Sequence, residues 1–290
     1  MMKKKAWSRW ILALAVVWPC MAVARDRVRE KENFDFDWKF ILNADDRANA
    51  GMQVSEAGWQ DVELPHDWSI SQDFNPKLSG SNGHLPGGIG WYRKTFRVDK
   101  KDKGRRIAVL FDGIYSRSDV YVNGQHLGFR PYGFCYQEYD LTPYLNYGAE
   151  NVLAVRVNNP LEHDSVARWY TGAGIYRHAW LVKTAEVHVA SYGTYVTTPV
   201  VTAERAEVRV RTSVANEAER TKTLSVRQQI TDGEGRTVVQ SGKQALQVAA
   251  GQTADTEHTL EIPRPQLWDT EHPYLYTLHT AVYDGRKLVD

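Results

Sequence analysis

Short runs of β-branched and aromatic residues that end at glycine, asparagine or aspartate constrain this chain more than any other feature. They are RIAVLFDG (106–113), SDVYVNGQHLG (118–128), NVLAVRVNN (151–159) and HAWLVKT (178–184). Asn123-Gly124 suits a type I′ turn, because both residues tolerate positive φ angles, so its flanking runs are predicted to pair antiparallel. Since no sustained helical period occurs before Thr184, we predict a jelly-roll-like β-sandwich over residues 25–184.

After Thr184 the aromatic residues thin out, and apolar and polar residues alternate with a period of two. The alternation is clearest in EVRVRTSVAN (207–216), TLSVRQQITD (223–232) and ADTEHTLEIP (254–263). Strands with one solvated face are typical of an immunoglobulin-like sandwich, so residues 185–290 are predicted to form a second domain. A final strand is barely begun at Asp290, so we expect this domain to be truncated and the chain to be the front part of a longer protein.

The first 24 residues have the pattern of a signal peptide. MMKKKAWSRW is a basic region, ILALAVVWPCMAVA is apolar, and AVA at 22–24 is a small-residue cleavage site. We therefore predict export to the periplasm or the extracellular space. A lipid anchor at Cys20 is the less favoured alternative, because Trp18 and Pro19 fit poorly before a lipidated cysteine.

Charge and cysteine content narrow the possible functions further. The leader holds four basic residues and no acidic one, so its removal turns the formal net charge of +1 into −3. A chain with that charge has no general attraction for nucleic acid. One cysteine, Cys135, remains after cleavage, which excludes an intramolecular disulfide, and its aromatic neighbours predict a small, buried, unreactive side chain.

The common sequence motifs of catalytic and cofactor-binding sites are absent from this sequence. The GAG of 172–174 lacks the third glycine of a dinucleotide-binding loop, and GxSxG, HExxH and paired CxxC motifs do not occur. The cluster EHD (162–164) is interpreted as a solvated loop rather than a metal site, and no cofactor is identifiable. Asn216-Glu217 lies between two alternating strands, so it is predicted to be a hairpin turn and not a catalytic dipeptide.

Aromatic residues in loops are the remaining candidates for chemistry. The rings beside glycine, proline or charged residues belong to Trp68, Trp91, Tyr92, Trp169 and Tyr170. Flat rings next to hydrogen-bonding groups suit the apolar faces and hydroxyl edges of sugars. The alternative is that the rings only close the ends of a sandwich.

Six segments occur in one order: LPHDWSI (64–70), LPGGIGWYRKTF (85–96), LFDGIYSRSDVYVNGQHLG (110–128), YDLTPYL (139–145), ENVLAVRVNN (150–159) and RWYTGAGIYRHAWL (168–181). Together they resemble the amino-terminal sugar-binding domain of glycoside hydrolase family 2, in its β-galactosidase-like branch. LWDTEHPYLYTL (267–278) resembles the end of that family's first immunoglobulin-like domain. The resemblance implies a galactose-binding-type sandwich followed by an immunoglobulin-like one.

In that family the two β-domains precede a (β/α)8 barrel, which carries the two glutamates of a retaining mechanism. No alternation of strands and helices occurs in this sequence, so the barrel is absent from it. The resemblance therefore implies no catalytic residue in this chain, which we predict to be inactive alone.

The resemblance also implies that two loops of the first domain reach the mouth of the barrel and contact the terminal galactose. One loop follows the segment HDW (66–68), and the other leads into RWY (168–170). A well-known family pattern has an aspartate directly before this second tryptophan, whereas Arg168 precedes Trp169 here. The predicted substrate-binding residues are Asp67, Trp68, Asp164, Arg168, Trp169 and Tyr170.

The main predicted role of the segment RWYTGAGIYRHAWL is to turn the chain sharply. Its secondary predicted role is to form the lip of a sugar site. Gly172 and Gly174 permit a sharp backbone turn, and the apolar residues that follow are expected to anchor it.

Taken with the resemblance, these features predict the non-catalytic part of an exported hydrolase of terminal β-galactosides. Its expected partners are a glycan substrate, the missing barrel and a second copy of the chain. The alternatives are a stand-alone carbohydrate-binding module, a purely structural β-protein, and a β-glucuronidase or β-mannosidase fragment.

Overall fold

The computed structural model describes residues 28–42, 45–78, 80, 83–160 and 169–290. Within them the chain is built from strands and short 3-10 turns, with no α-helix. None of the helical turns in this part is long and apolar enough to cross a membrane. The leader and Cys20 lie outside the described residues.

Ten strands form the first sandwich. They are β1 (Glu30–Asn33), β2 (Trp38–Leu42), β3 (Gln60–Val62), β4 (Gly88–Arg97), β5 (Arg106–Phe111), β6 (Ser118–Val122), β7 (Gln125–Arg130), β8 (Gln137–Asp140), β9 (Glu150–Asn159) and β10 (Ala179–Thr184). The 3-10 turns between them are Arg47–Ala50, Ser69–Ser71, Lys100–Asp102 and Thr142–Tyr144.

These strands pair antiparallel in two sheets. One sheet has four strands in the order β1-β10-β5-β8, and the other has six in the order β3-β2-β4-β9-β6-β7. Apolar side chains from both sheets meet between them, and Trp38, Phe111 and Leu153 are fully buried there. The predicted hairpin at Asn123-Gly124 is confirmed, since β6 pairs with β7 and both turn residues have positive φ angles, 51° and 84°.

The outer face of the six-stranded sheet is also covered, by the segment that connects β2 to β3. Arg93 fixes that segment, because its guanidinium donates to the carbonyl oxygens of Asn49 and Gly51 at 2.6 and 2.7 Å. Trp91 is consequently buried on this outer face together with Ala50 and Tyr121. The middle of β4 is therefore buried on both faces, and its sequence does not alternate.

Eight strands form the second sandwich. They are β11 (Val187–Val201), β12 (Arg205–Asn216), β13 (Lys222–Thr231), β14 (Thr237–Gln240), β15 (Gln244–Val248), β16 (Gln252–Pro263), β17 (Thr277–Asp284) and β18 (Lys287–Leu288). A sheet of order β11-β12-β16 faces a five-stranded sheet in which β13 lies between β17 and both β14 and β15. The predicted all-β architecture of two successive sandwiches is thus confirmed.

A polar layer divides the core of this second sandwich. The Gln228 amide donates to the Thr212 hydroxyl at 2.8 Å and accepts from the Thr280 hydroxyl at 2.7 Å. Valines and leucines form one apolar cluster on one side of this layer, and a second cluster that contains Ile230 lies on the other. Because Gln228 is fully buried, its two hydrogen bonds offset the cost of removing its amide from water.

Side chains of both sandwiches meet where the chain passes from β10 to β11. Arg106 donates to Glu138 of the first sandwich at 2.6 Å and to Glu217 of the second at 2.9 Å. At a second point Arg29 donates to both carboxylate oxygens of Asp290, at 3.0 and 2.8 Å. These contacts attach the second sandwich to the four-stranded sheet of the first, at both its β1 edge and its β5-β8 side.

Candidate functional site

The corner 169–177 lies at one end of the first sandwich, beside the loop that contains Asp67. Gly172 and Gly174 have φ angles of 74° and 125°, which confirms the predicted sharp turn. A methyl group at Gly174 would lie 2.6 Å from the carbonyl oxygen of His66, and one at Gly172 would lie 2.8 Å from Asp67 Oδ2. Only glycine therefore allows these two segments to approach so closely.

The carboxylate of Asp67 joins the loop to the corner. Its Oδ1 accepts hydrogen bonds from the backbone N–H groups of Ser69 and Ala173, both at 3.0 Å. Its Oδ2 accepts from the hydroxyl of Tyr170 at 2.6 Å. With three donors already bound, Asp67 acts as a positioning group that holds the corner in place.

Tyr170 remains a neutral hydrogen-bond donor in this arrangement. Burial raises the pKa of its hydroxyl, and the hydrogen bond to Asp67 and the charge of that carboxylate raise the pKa further. Tyr170 is still 40% exposed, so part of its surface is available to a ligand while the hydroxyl is held.

Among the predicted site residues that the structure describes, Trp169 is the most accessible, with 61% of its surface exposed. It directly precedes Tyr170, so the Asp67 clamp also fixes where its backbone lies. The two neighbouring residues form the lip of the candidate site. Asp164 and Arg168, which the sequence also predicted at this site, lie outside the described residues.

The prediction for Trp68 needs correction. Its ring is fully buried and stacks on Phe40, with 5.6 Å between centroids and 21° between planes. Trp91 and Tyr92 are also fully buried and lie within β4, so they are not loop residues. These three rings fill the molecule's interior and have no exposed face for a sugar.

At this end of the first sandwich, the contact of His66 was not predicted from the sequence, and the predicted burial of Cys135 is wrong. His66 Nδ1 lies 2.8 Å from the Tyr92 hydroxyl, and burial lowers the pKa of His66, which keeps its ring neutral. Cys135 is partly exposed rather than buried, because the aromatic residues around it point to the surface. The alternation of aromatic and small residues in PYGFCY was the signal that could have indicated an exposed loop.

Among the described residues, no group of three or more histidine, cysteine, aspartate or glutamate side chains is placed to hold a metal ion. Asn216-Glu217 lies at the end of β12, before β13, but the predicted hairpin turn is wrong, because β12 and β13 belong to different sheets and do not pair. The Asn216 amide instead donates to the carbonyls of Arg220 and Val248.

Nearly all residues of the two sandwiches match models of known protein families. Residues 32–185 match the model described as "Glycosyl hydrolases family 2, sugar binding domain", and residues 187–290 match "Glycosyl hydrolases family 2". The chain belongs to glycosyl hydrolase family 2. The clamp and lip therefore lie in the part of this family 2 chain that matches the sugar-binding model.

Individual relatives are similar along most of the chain. A β-galactosidase of Bacteroides ovatus, BoGH2A, is 43% identical over 270 residues, which are 90% of this chain and 31% of that protein. A β-glucuronidase of Formosa agariphila is 32% identical and is matched over 90% of this chain and 29% of its own length. The family 2 chain thus spans about a third of the length of the curated relatives that it matches.

Solved structures show the same fold. The crystal structure of a family 2 member from Bacteroides cellulosilyticus superposes with a TM-score of 0.81 at 39% identity, over 90% of this chain and 35% of that one. A β-glucuronidase of family 2 superposes with a TM-score of 0.83 at 31% identity, over 90% of this chain and 29% of that one.

Proposed function

We propose that this family 2 chain is the non-catalytic, amino-terminal part of an exported hydrolase that removes terminal β-galactosyl residues. The observation that supports this most is the 43% identity to a β-galactosidase over 90% of the chain, against 32% for a β-glucuronidase. A retaining mechanism needs two carboxylates about 5 to 5.5 Å apart on a rigid frame, and we place both in a barrel outside this chain.

In this proposal the first sandwich contributes the lip of the sugar site. Asp67 holds Tyr170 and, through it, Trp169 at the end of the sandwich. The exposed indole and phenol rings then border the terminal galactose, together with Asp164 and Arg168. A ring face beside polar groups fits the apolar face and hydroxyl edge of a pyranose.

Substrate specificity tests the proposal. The complete gene product is expected to hydrolyse p-nitrophenyl β-galactoside faster than the matched β-glucuronide and β-mannoside, while the chain ending at Asp290 hydrolyses none of them. Faster hydrolysis of the glucuronide would show that the complete gene product is a β-glucuronidase and not a β-galactosidase. Hydrolysis by the 290-residue chain alone would contradict the proposal that the catalytic carboxylates lie outside this chain.

Export is a separate part of the proposal. Removal of the leader after Ala24 would give a mature chain that begins at Arg25. Mass spectrometry of the protein secreted by a host cell is expected to show this mass. A secreted or membrane-associated protein that retains residues 1–24, or one carrying lipid at Cys20, would contradict it.

A carbohydrate-binding module is the second candidate, because the match of residues 32–185 is to a model described as a sugar-binding domain. Calorimetric titration of the chain with lactose separates the two functions. Binding that is lost in Trp169→Ala would favour the module, and absence of binding at about 10 mM ligand would favour a lip that needs the rest of the enzyme.

A further inference from the structure

A second group of aromatic rings surrounds the loop between β7 and β8, at the same end of the first sandwich as the lip. We call Tyr115, Tyr132, Phe134 and Tyr176 the aromatic platform. The Tyr132 and Phe134 side chains are 61% and 44% exposed. Phe134 lies at the centre, with its ring centroid 5.1 Å from Tyr115, 5.9 Å from Tyr132 and 6.4 Å from Tyr176.

The geometry of these pairs leaves ring faces open. Phe134 is tilted by 49° to Tyr115 and lies at 71° and 70° to Tyr132 and Tyr176. Edge contacts of this kind stabilise the cluster without stacking one face on another. The exposed faces of Tyr132 and Phe134 are therefore accessible to a flat apolar surface of a ligand.

Hydrogen bonds fix the platform to the glycine corner. The Tyr176 hydroxyl donates to the carbonyl of Gly133 at 2.9 Å. Tyr115 and Gly174 exchange two backbone hydrogen bonds, at 2.9 and 2.8 Å. The loop also packs tightly at Gly133, where any side chain would collide with the Tyr115 ring. The platform is consequently fixed in place beside the glycine corner.

Two arginines lie beside the platform. The backbone N–H of Arg117 donates to the carbonyl of Pro131 at 3.4 Å, and Arg177 directly follows Tyr176. Neither forms an ion pair with a carboxylate in the part of the chain that the structure describes, whereas Arg106 pairs with two. The border of the platform therefore carries positive charge that its described neighbours do not neutralise.

We infer that the aromatic platform binds an acidic glycan, with sugar rings on the faces of Tyr132 and Phe134 and carboxylates or sulfates near Arg117 and Arg177. Arginine suits such groups because its planar guanidinium donates two parallel hydrogen bonds to one anion. The inference rests on the proposed function and deepens it, since it names the class of glycan that carries the terminal galactoside past the lip.

The chemistry of the platform favours a glycan over a protein partner. A second exposed apolar surface, a groove of about 290 Å³ in the other sandwich, is lined mainly by aliphatic side chains, of which Val201, Leu267 and Leu275 are exposed. That groove resembles the apolar surfaces that bind other protein segments. The platform instead combines four rings, three of which carry hydroxyls, with guanidinium groups at its border.

Calorimetry of the 290-residue chain tests the inference with two matched probes, the acidic tetrasaccharide tetragalacturonate and the neutral β-1,4-galactotetraose. We expect tetragalacturonate to bind at least about tenfold more tightly at low salt and to weaken when NaCl is raised from about 50 to about 500 mM. The double variant Tyr132→Ala/Phe134→Ala is expected to weaken binding about tenfold, because both stacking faces are lost. Arg117→Gln/Arg177→Gln is expected to remove most of the preference for the acidic probe.

Tyr144→Ala is the matched control, because Tyr144 is 43% exposed but lies between β8 and β9, at the opposite end of the sandwich. The affinity of this variant for both probes and its stability in urea are expected to equal those of the unmodified chain. Equal affinity for both probes, no binding of tetragalacturonate at about 10 mM, or unchanged binding by the folded double variant would each overturn the inference.

The same variants separate this inference from the proposed function. p-Nitrophenyl β-galactoside has a single sugar and no acidic group, so its hydrolysis by the complete gene product should not change in Tyr132→Ala/Phe134→Ala. Failure to hydrolyse it would contradict the proposed enzyme and leave the binding result intact. A double variant that loses activity on the small substrate but not affinity for tetragalacturonate would show that the platform contacts protein and would overturn the inference.

Discussion

Asp67 and Gly174 show how single residues fix the end of the first sandwich. The carboxylate supplies three acceptor contacts, and the glycine removes the one atom that would keep the two segments apart. The glycine turn was predictable from the sequence because a positive φ angle is a local property. The burial of Trp68 was not, because it depends on Phe40, which is distant along the chain and close only after folding.

Gly174→Ala is expected to destabilise the chain far more than Gly58→Ala. Both positions have positive φ angles, so both variants are strained, by about 1 to 2 kcal/mol. An added methyl group at Gly58 meets no atom within 4 Å, whereas at Gly174 it meets the His66 carbonyl and the Tyr92 hydroxyl. We expect an additional loss of about 1 to 3 kcal/mol at Gly174. Urea unfolding measures it, and equal losses would show that the corner relaxes freely.

Strands and hairpins were predicted well where their determinants lie within one segment. The β6-β7 turn follows from Asn123-Gly124, and the strands of the second sandwich follow from period-two alternation. The middle of β4 was misjudged because the segment before β3 folds over the outer face of its sheet and buries Trp91 there. An element buried on both faces does not show the alternation from which strand faces are assigned.

The Asn123 side chain connects the β6-β7 turn to its neighbours and offers an element-scale prediction. Its Oδ1 accepts from the Val152 N–H at 2.9 Å, and its Nδ2 donates to Tyr144 O and Asn151 Oδ1, both at 2.8 Å. Asn123→Ala and Asn123→Gly both lose these bonds, but only alanine is strained at a φ of 51°. Urea unfolding is expected to show glycine as the milder change by about 1 kcal/mol. An alanine variant as stable as the glycine variant would refute this explanation.

For the whole molecule, the junction between the sandwiches is the part that sequence reasoning described least. Arg106 bridges Glu138 and Glu217, and the rings of Tyr136 and Tyr192 pack across the same junction with centroids 4.3 Å apart and planes tilted by 35°. Each sandwich was predicted from its own local patterns. Contacts between them depend on relative placement, which no local pattern encodes.

His188 makes the stability of this junction dependent on pH. Burial lowers the pKa of its imidazole, and the neighbouring Arg106 lowers it further. The unfolded chain therefore binds a proton on His188 more readily than the folded chain does. As the pH falls below the ordinary histidine value of about 6.5, this group is expected to reduce the free energy of unfolding.

Urea unfolding at a series of pH values between about 7 and 5 measures the effect. His188→Gln is expected to show a shallower decrease than the unmodified chain. The difference between the two chains isolates His188 from Glu217, whose pKa is raised by burial and whose contribution has the opposite sign. Identical slopes would contradict the assignment.

The contact between Arg29 and Asp290 has a consequence for protein engineering. Residues 261 positions apart are joined by two hydrogen bonds, so the stretch from 29 to 290 enters and leaves at one point on the surface. Inserted proteins are tolerated best when their two ends are close together, because the host loop then has little distance to span. The two ends of this stretch are thus close enough to be joined to a surface loop of another protein by short linkers.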